Sequence, residues 1–216
     1  MDKSTLKKIR LVAPGIILFV CVFPFFGLRN LKAISENIPD SAFIILMTLL
    51  VLVLGAVYYS LNIRDLLWRE VVQACHRNIH ARMIDPVGLD PIFEEVISRL
   101  SNTEMMNIFY NIVDHDPSLL DKANDVRSNG AVLTSIIDSI LIFYFFTIMY
   151  IITFLLTHQP IFLWWTIATL LLQMILWPMK RRVLKRHIMY EDEQLSVINQ
   201  FHRDRVKSLL RGNISR

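Results

Sequence analysis

The sequence predicts an all-α protein: four transmembrane helices, with a small cytoplasmic helical module between the second and third. Three observations predict it. Four uncharged or nearly uncharged apolar runs, residues 11–28, 42–61, 131–156 and 161–177, reach the ~17–25 residues that cross a hydrocarbon layer of about 30 Å. Hydrophobic residues make up 54% of the chain, against ~45–50% in an ordinary soluble domain, and the excess is gathered in those runs. Basic residues are plentiful in alternate connections and scarce in the others, as positive-inside topology requires.

The first run follows Lys3, Lys7, Lys8 and Arg10. A basic start before an apolar stretch also fits a signal peptide, but no small-x-small cleavage pattern follows, so a retained span is expected. Pro14 and Pro24 predict kinks, which membranes tolerate where neighbours satisfy the freed backbone groups. The second run holds no charge over residues 42–61 and ends on Tyr58 and Tyr59, whose rings favour the headgroup layer. Pro39 predicts a turn before it, with Ser41 as helix cap. The third and fourth runs are separated by residues 157–160 alone, a tight uncharged hairpin. Trp164 and Trp165 near its outer end and Trp177 at the inner end form an aromatic belt.

Segment 1–10 has four basic residues, 64–82 has four, and 180–186 has five; the loop 29–41 has two and the second hairpin none. Both termini and the middle segment are therefore expected on the cytoplasmic side of a cell inner membrane. The pI near 9.2 reflects this placement rather than a nucleic-acid surface, since aromatic stacking residues are sparse among the charges.

The organisation read from these features is an N-terminal segment with a first transmembrane hairpin (1–61), a cytoplasmic helical module (62–130), a second hairpin (131–177) and a basic tail (178–216). In the module, Ile63, Leu66, Leu67, Val71, Ala74 and Ile79 keep helical spacing. The second span is thus expected to continue as a rod to about Arg82. Residues 85–91 break it, and Asp90 with Pro91 opens a helix with the stripe Ile92, Phe93, Val96, Ile97 and Leu100. Ser101 and Glu104 have capping-box spacing before Met105, Ile108, Phe109 and Ile112. After a break at 114–117, Leu119, Leu120, Ala123 and Val126 lead into the third span. The tail stripe of Leu195, Ile198, Phe201 and Val206 is expected to pack on this module or on another subunit.

Asp138 is the most informative polar residue. It lies seven residues into the third run, where a charge costs ~2.5–3.5 kcal/mol at mid-helix and so requires a partner or water. Gln173 on the fourth run sits at similar depth and is the expected partner. The alternatives are a packing hydrogen bond, a pore-lining or gating carboxylate, or a coupled-proton group. Ser135 and Ser139 form a small-xxx-small pair that permits close helix contact and oligomerisation. Lys180, Arg181, Arg182, Lys185 and Arg186 mark topology and suit anionic lipid headgroups. His76 and His80 share one helix face beside Cys75, a spacing compatible with metal, but no full ligand set is evident and two solvated histidines are the plainer reading. No cofactor is expected, and no phosphate loop, GxSxG or HExxH motif is present. Arg69 and His76 have the R-x6-H spacing of HEPN-type ribonucleases; the resemblance covers two residues, and Glu70 departs from the residue usual there.

In span number, size and module the layout resembles small four-span bacterial inner-membrane proteins of anti-phage defence, of the Kiwa membrane-subunit kind, and plasmid entry-exclusion proteins. The resemblance carries no residue assignments. A non-enzymatic membrane component is expected, oligomeric, anchoring or sensing for a cytosolic protein partner in the lipid bilayer, with no direct nucleic-acid contact. The alternatives are a membrane-permeabilising effector or small ion channel.

Overall fold

A computed structural model describes residues 3–26, 39–84 and 100–214. They form seven helices and no strand: α1 (Lys3–Phe26), α2 (Asp40–Ser60), α3 (Asp65–Ile84), α4 (Asn102–Asp114), α5 (Pro117–Thr157), α6 (Pro160–Phe201) and α7 (Arg203–Ile214). Four of them, α1, α2, α5 and α6, are long and apolar enough to cross a membrane. The expected break at 85–91 and the helix opened by Asp90 and Pro91 lie outside the described residues, as do Arg29 and Lys32.

The chain divides into two compact units. Residues Asp2–Trp68 and Ala131–Arg182 make a spanning unit, and Arg69–Gly130 with Val183–Arg216 make a polar unit. Helices α5 and α6 supply residues to both. At ~1.5 Å per residue each is about 60 Å long, twice the hydrocarbon thickness.

In the spanning unit many large apolar side chains face outward. Leu156, Met174 and Trp164 are 78%, 72% and 68% exposed, and only 11% of the apolar window in α2 is buried. Water would make such a surface an aggregation site, whereas lipid tails solvate it. Lipid also removes the hydrophobic drive for helix association, so contact must come from close packing and polar bonds. Both are present. Helices α1 and α2 cross through Gly15 and Gly55: a Cβ at Gly15 would lie 2.1 Å from the Val51 carbonyl oxygen, and one at Gly55 2.1 Å from that of Leu11. Around Tyr150 the rings of Phe25, Phe146, Phe162 and Trp165 gather, and its hydroxyl donates to the Cys21 carbonyl. Helix α1 runs through Pro14 and Pro24, both buried.

The polar unit holds together by excluding water. Its core joins Ile79 and Met83 of α3, Met105, Ile108, Phe109 and Ile112 of α4, Leu119 and Ala123 of α5, Leu195 and Ile198 of α6, and Val206 and Leu210 of α7. Each large side chain buried there stabilises by ~1.5–3 kcal/mol. The tail stripe therefore packs on the same core as the middle segment, except Phe201, which is 69% exposed. The capping box is present: the Ser101 hydroxyl accepts from the Glu104 amide at 3.3 Å, and Glu104 Oε2 accepts from the Ser101 amide at 2.8 Å. Around the core, Asp192 accepts from Asn78 at 2.9 Å and Arg82 at 3.1 Å, and Asp116 pairs with His202.

Two local expectations are corrected. The second span does not continue as a rod to Arg82. Helix α2 ends at Ser60, and Asn62 takes φ 50° before α3 begins at Asp65. Asparagine tolerates the left-handed region better than most residues, so the break falls there. Nor does Ser41 cap α2; the helix starts at Asp40, directly after Pro39 in an extended conformation (ψ 140°).

Candidate functional site

The break between α2 and α3 positions the first site. Had the helix continued, Arg64 would follow its 3.6-residue phase. Instead Asn62 turns the chain, Asp65 N–H donates to the Asn62 carbonyl at 3.1 Å, and Arg64 reaches Asp138 on α5. Arg64 Nε and Nη2 donate to the two carboxylate oxygens at 2.8 and 2.7 Å, a bidentate fork, and the Tyr58 hydroxyl donates to Oδ1 at 3.0 Å. Asp138 is fully buried, and the Arg64 side chain is 15% exposed. The Tyr59 ring lies 5.8 Å from the Arg64 guanidinium carbon, within cation–π range.

A cavity of about 170 Å³ opens beside the pair, lined by Arg10, Tyr58, Tyr59, Asn62, Arg64 and Thr134 among others. Arg10 Nε is buried without a hydrogen-bond partner. Arg10 and Arg64 stand against the carboxylates of Asp138 and of Asp65, which also lines the cavity, so the formal charges of this corner balance.

Asp138 thus meets Arg64 and Tyr58, and not Gln173. Gln173 donates to the Thr147 hydroxyl at 2.9 Å, and Thr147 donates to Thr169 at 2.8 Å, a separate polar ladder between α5 and α6. Similar depth does not bring Asp138 to Gln173; Arg64 lies beyond the apolar run, and its reach to Asp138 depends on the turn at Asn62. Ser135 and Ser139 are half-buried and donate to carbonyls of their own helix, those of Ala131 and Ser135. Of the basic run, Arg181, Arg182, Lys185 and Arg186 are exposed, while Lys180 is buried with its ammonium 5.1 Å from the Trp177 ring centre.

A second cluster lies in the polar unit. Cys75 on α3 and His187 and Glu191 on α6 bring a thiol, an imidazole and a carboxylate within 4.8 Å of one another. His187 Nε2 and Glu191 Oε1 are 3.6 Å apart, and Asn129 Nδ2 lies 3.3 Å from His187 Nδ1 while donating to the Val183 carbonyl at 3.1 Å. Burial pushes the Glu191 carboxyl up to about 7. Burial, then the Glu191 charge, pushes the Cys75 thiol well above its usual range. Among the described residues this is the one grouping of three such ligands; His76 and His80 join none, and His115 Nδ1 instead contacts the Asn111 carbonyl at 2.7 Å. Sequence reasoning passed over this cluster. Its signal was the four-residue spacing of His187 and Glu191, but Cys75 lies more than a hundred residues away and nothing local joins them.

No protein-family model, curated protein or solved structure matches this chain.

Proposed function

We propose that this protein is a multi-pass membrane component whose four spans anchor a helical module on the cytoplasmic face of a bacterial inner membrane, where the module self-associates and engages a cytosolic protein. The observation that carries this reading is the sharing of α5 and α6. The same two helices supply residues to a lipid-facing unit and to a water-facing unit with a core of its own. A module so built is a folded surface for partners and not a topogenic appendage. The basic residues flanking the spans support the cytoplasmic placement, and the layout likeness to defence and exclusion proteins suggests the biological setting.

The channel reading is weaker on the same geometry. A pore-lining carboxylate needs access to water, whereas Asp138 is fully buried with Arg64 and Tyr58 on its oxygens.

The test is site-specific photo-crosslinking in growing cells from Tyr110 and Leu120, both exposed on the polar unit, combined with native mass spectrometry in mild detergent. Discrete adducts with a second copy or one soluble protein are expected. A lone monomer with no adduct from either position overturns the reading. Reporters fused to the two ends and found on the far side of the membrane would overturn the topology.

A further inference from the structure

We propose that Cys75, His187 and Glu191 form a binding site for one divalent transition metal of borderline softness, Zn2+ being the fit. Glu191 is 4% exposed; Cys75 and Asn78 lie beside its carboxyl as donors, and its Oε2 has no hydrogen-bond partner. A buried carboxylate oxygen left unpaired is costly, and native structures rarely retain one without an unseen cation or water. The neighbours name the cation. A thiol and an imidazole beside a carboxylate are a sulfur, nitrogen and oxygen donor set, which suits zinc and excludes magnesium and calcium, both of which require oxygen ligands.

Charge balance gives the same answer. Thiolate, carboxylate and neutral imidazole sum to −2, which one Zn2+ cancels, so the loaded site carries no net charge. On binding, the Cys75 proton leaves to solvent and the sulfur–metal bond takes its place.

The geometry is close to what zinc needs. Bonds of 2.0–2.3 Å at tetrahedral angles place ligand atoms about 3.3–3.8 Å apart. The His187–Glu191 separation of 3.6 Å already meets this, and the others, all within 4.8 Å, need to close by at most about 1 Å. Three protein ligands leave a fourth position. A cavity of about 180 Å³ touches His187 and Glu191 and is also lined by Tyr110, Asp114 and Arg127, giving room for a water there and a way in. Metal at His187 Nε2 puts the ring proton on Nδ1. To accept that proton with Oδ1, as outer partners of zinc histidines do, the Asn129 amide must turn over and give up its bond to the Val183 carbonyl.

The experiment uses the full chain in detergent, stripped with a chelator and titrated with Zn2+ and with Co2+ as the coloured substitute. One equivalent of either is expected to bind, with Co2+ giving an intense near-ultraviolet thiolate-to-metal band. Cys75→Ser should abolish that band, and Glu191→Gln and His187→Ala should each weaken Zn2+ binding by at least about tenfold. Circular dichroism confirms that each variant is folded, and Glu191→Gln, being isosteric, keeps the test valid if Cys75→Ser is not. The double variant His76→Ala, His80→Ala should bind as the parent does. Absence of a thiolate band in the parent, parent-like Zn2+ binding in folded Glu191→Gln, or loss of binding in the His76, His80 variant instead would each overturn the proposal.

Discussion

Replacing Arg64 with alanine tests whether the spanning unit depends on its ion pair. The substitution leaves Asp138 buried with Tyr58 as its one remaining donor from the triad. Breaking a buried pair from one side costs about 3–5 kcal/mol. Arg64 keeps 15% of its side chain in contact with solvent, so the lower end applies, about 3 kcal/mol or a hundredfold in the unfolding equilibrium. Tyr58→Phe removes a single bond to a charged acceptor and should cost about 1.5 kcal/mol. The double variant Arg64→Met, Asp138→Leu removes both charges and should recover most of the loss, because no buried ion remains. The assay is unfolding in mixed micelles of increasing sodium dodecyl sulfate, read as a double-mutant cycle. A coupling of at least about 2 kcal/mol between positions 64 and 138 is expected. If Arg64→Ala costs under about 1 kcal/mol, or the two substitutions are additive, the pair is not what holds the turn between α2 and α3 to α5.

Other outcomes follow from the same structure. Gly55→Leu forces a side chain into the Leu11 carbonyl and should lower the unfolding free energy by the ~1–3 kcal/mol of overpacking, read as a lower midpoint; an unchanged midpoint would show that α1 and α2 do not cross there. Ser101→Ala removes the cap of α4 and should speed hydrogen exchange in its first turn about fivefold, measured by mass spectrometry. Hydrogen bonds from Ser118 and then His202 hold the Asp116 carboxyl down at about 2, below its ordinary ~3.9. A depressed carboxyl contributes stability above about pH 4 that is lost as pH falls toward 2. Acid titration of the polar unit's helicity should therefore be flatter between pH 4 and 2 in Asp116→Asn, and an identical acid limb would refute the pairing.

How much of this was legible in sequence depends on distance along the chain. The four spans were readable because a bilayer imposes a length and an absence of charge that single windows reveal. The box at Ser101 and Glu104 was readable because its partners are three residues apart. Asp138 was flagged by cost alone, since a carboxylate among Ile136, Ile137 and Ile140 demands company. Its partner was not readable. Arg64 is 74 residues earlier, and its reach rests on one asparagine adopting a left-handed backbone, a weak propensity against the strong helical pattern around it. The Gly15 and Gly55 crossing was hidden for a similar reason. Each glycine alone looks like filler in an apolar run, and only a neighbouring backbone shows why a methyl is forbidden.

The same long separation bears on how the chain is made. Arg64 leaves the ribosome first, and Asp138 enters the membrane only when the third hydrophobic stretch is inserted. Until then the first hairpin carries an arginine beside an empty cleft, and a third stretch arriving alone carries an uncompensated carboxylate. Each half-built species therefore bears a charge without its counter-ion, and docking the two halves pairs both at once. The bidentate fork is in this sense a late contact: its stabilisation becomes available only once residue 138 is in place, 74 residues after Arg64.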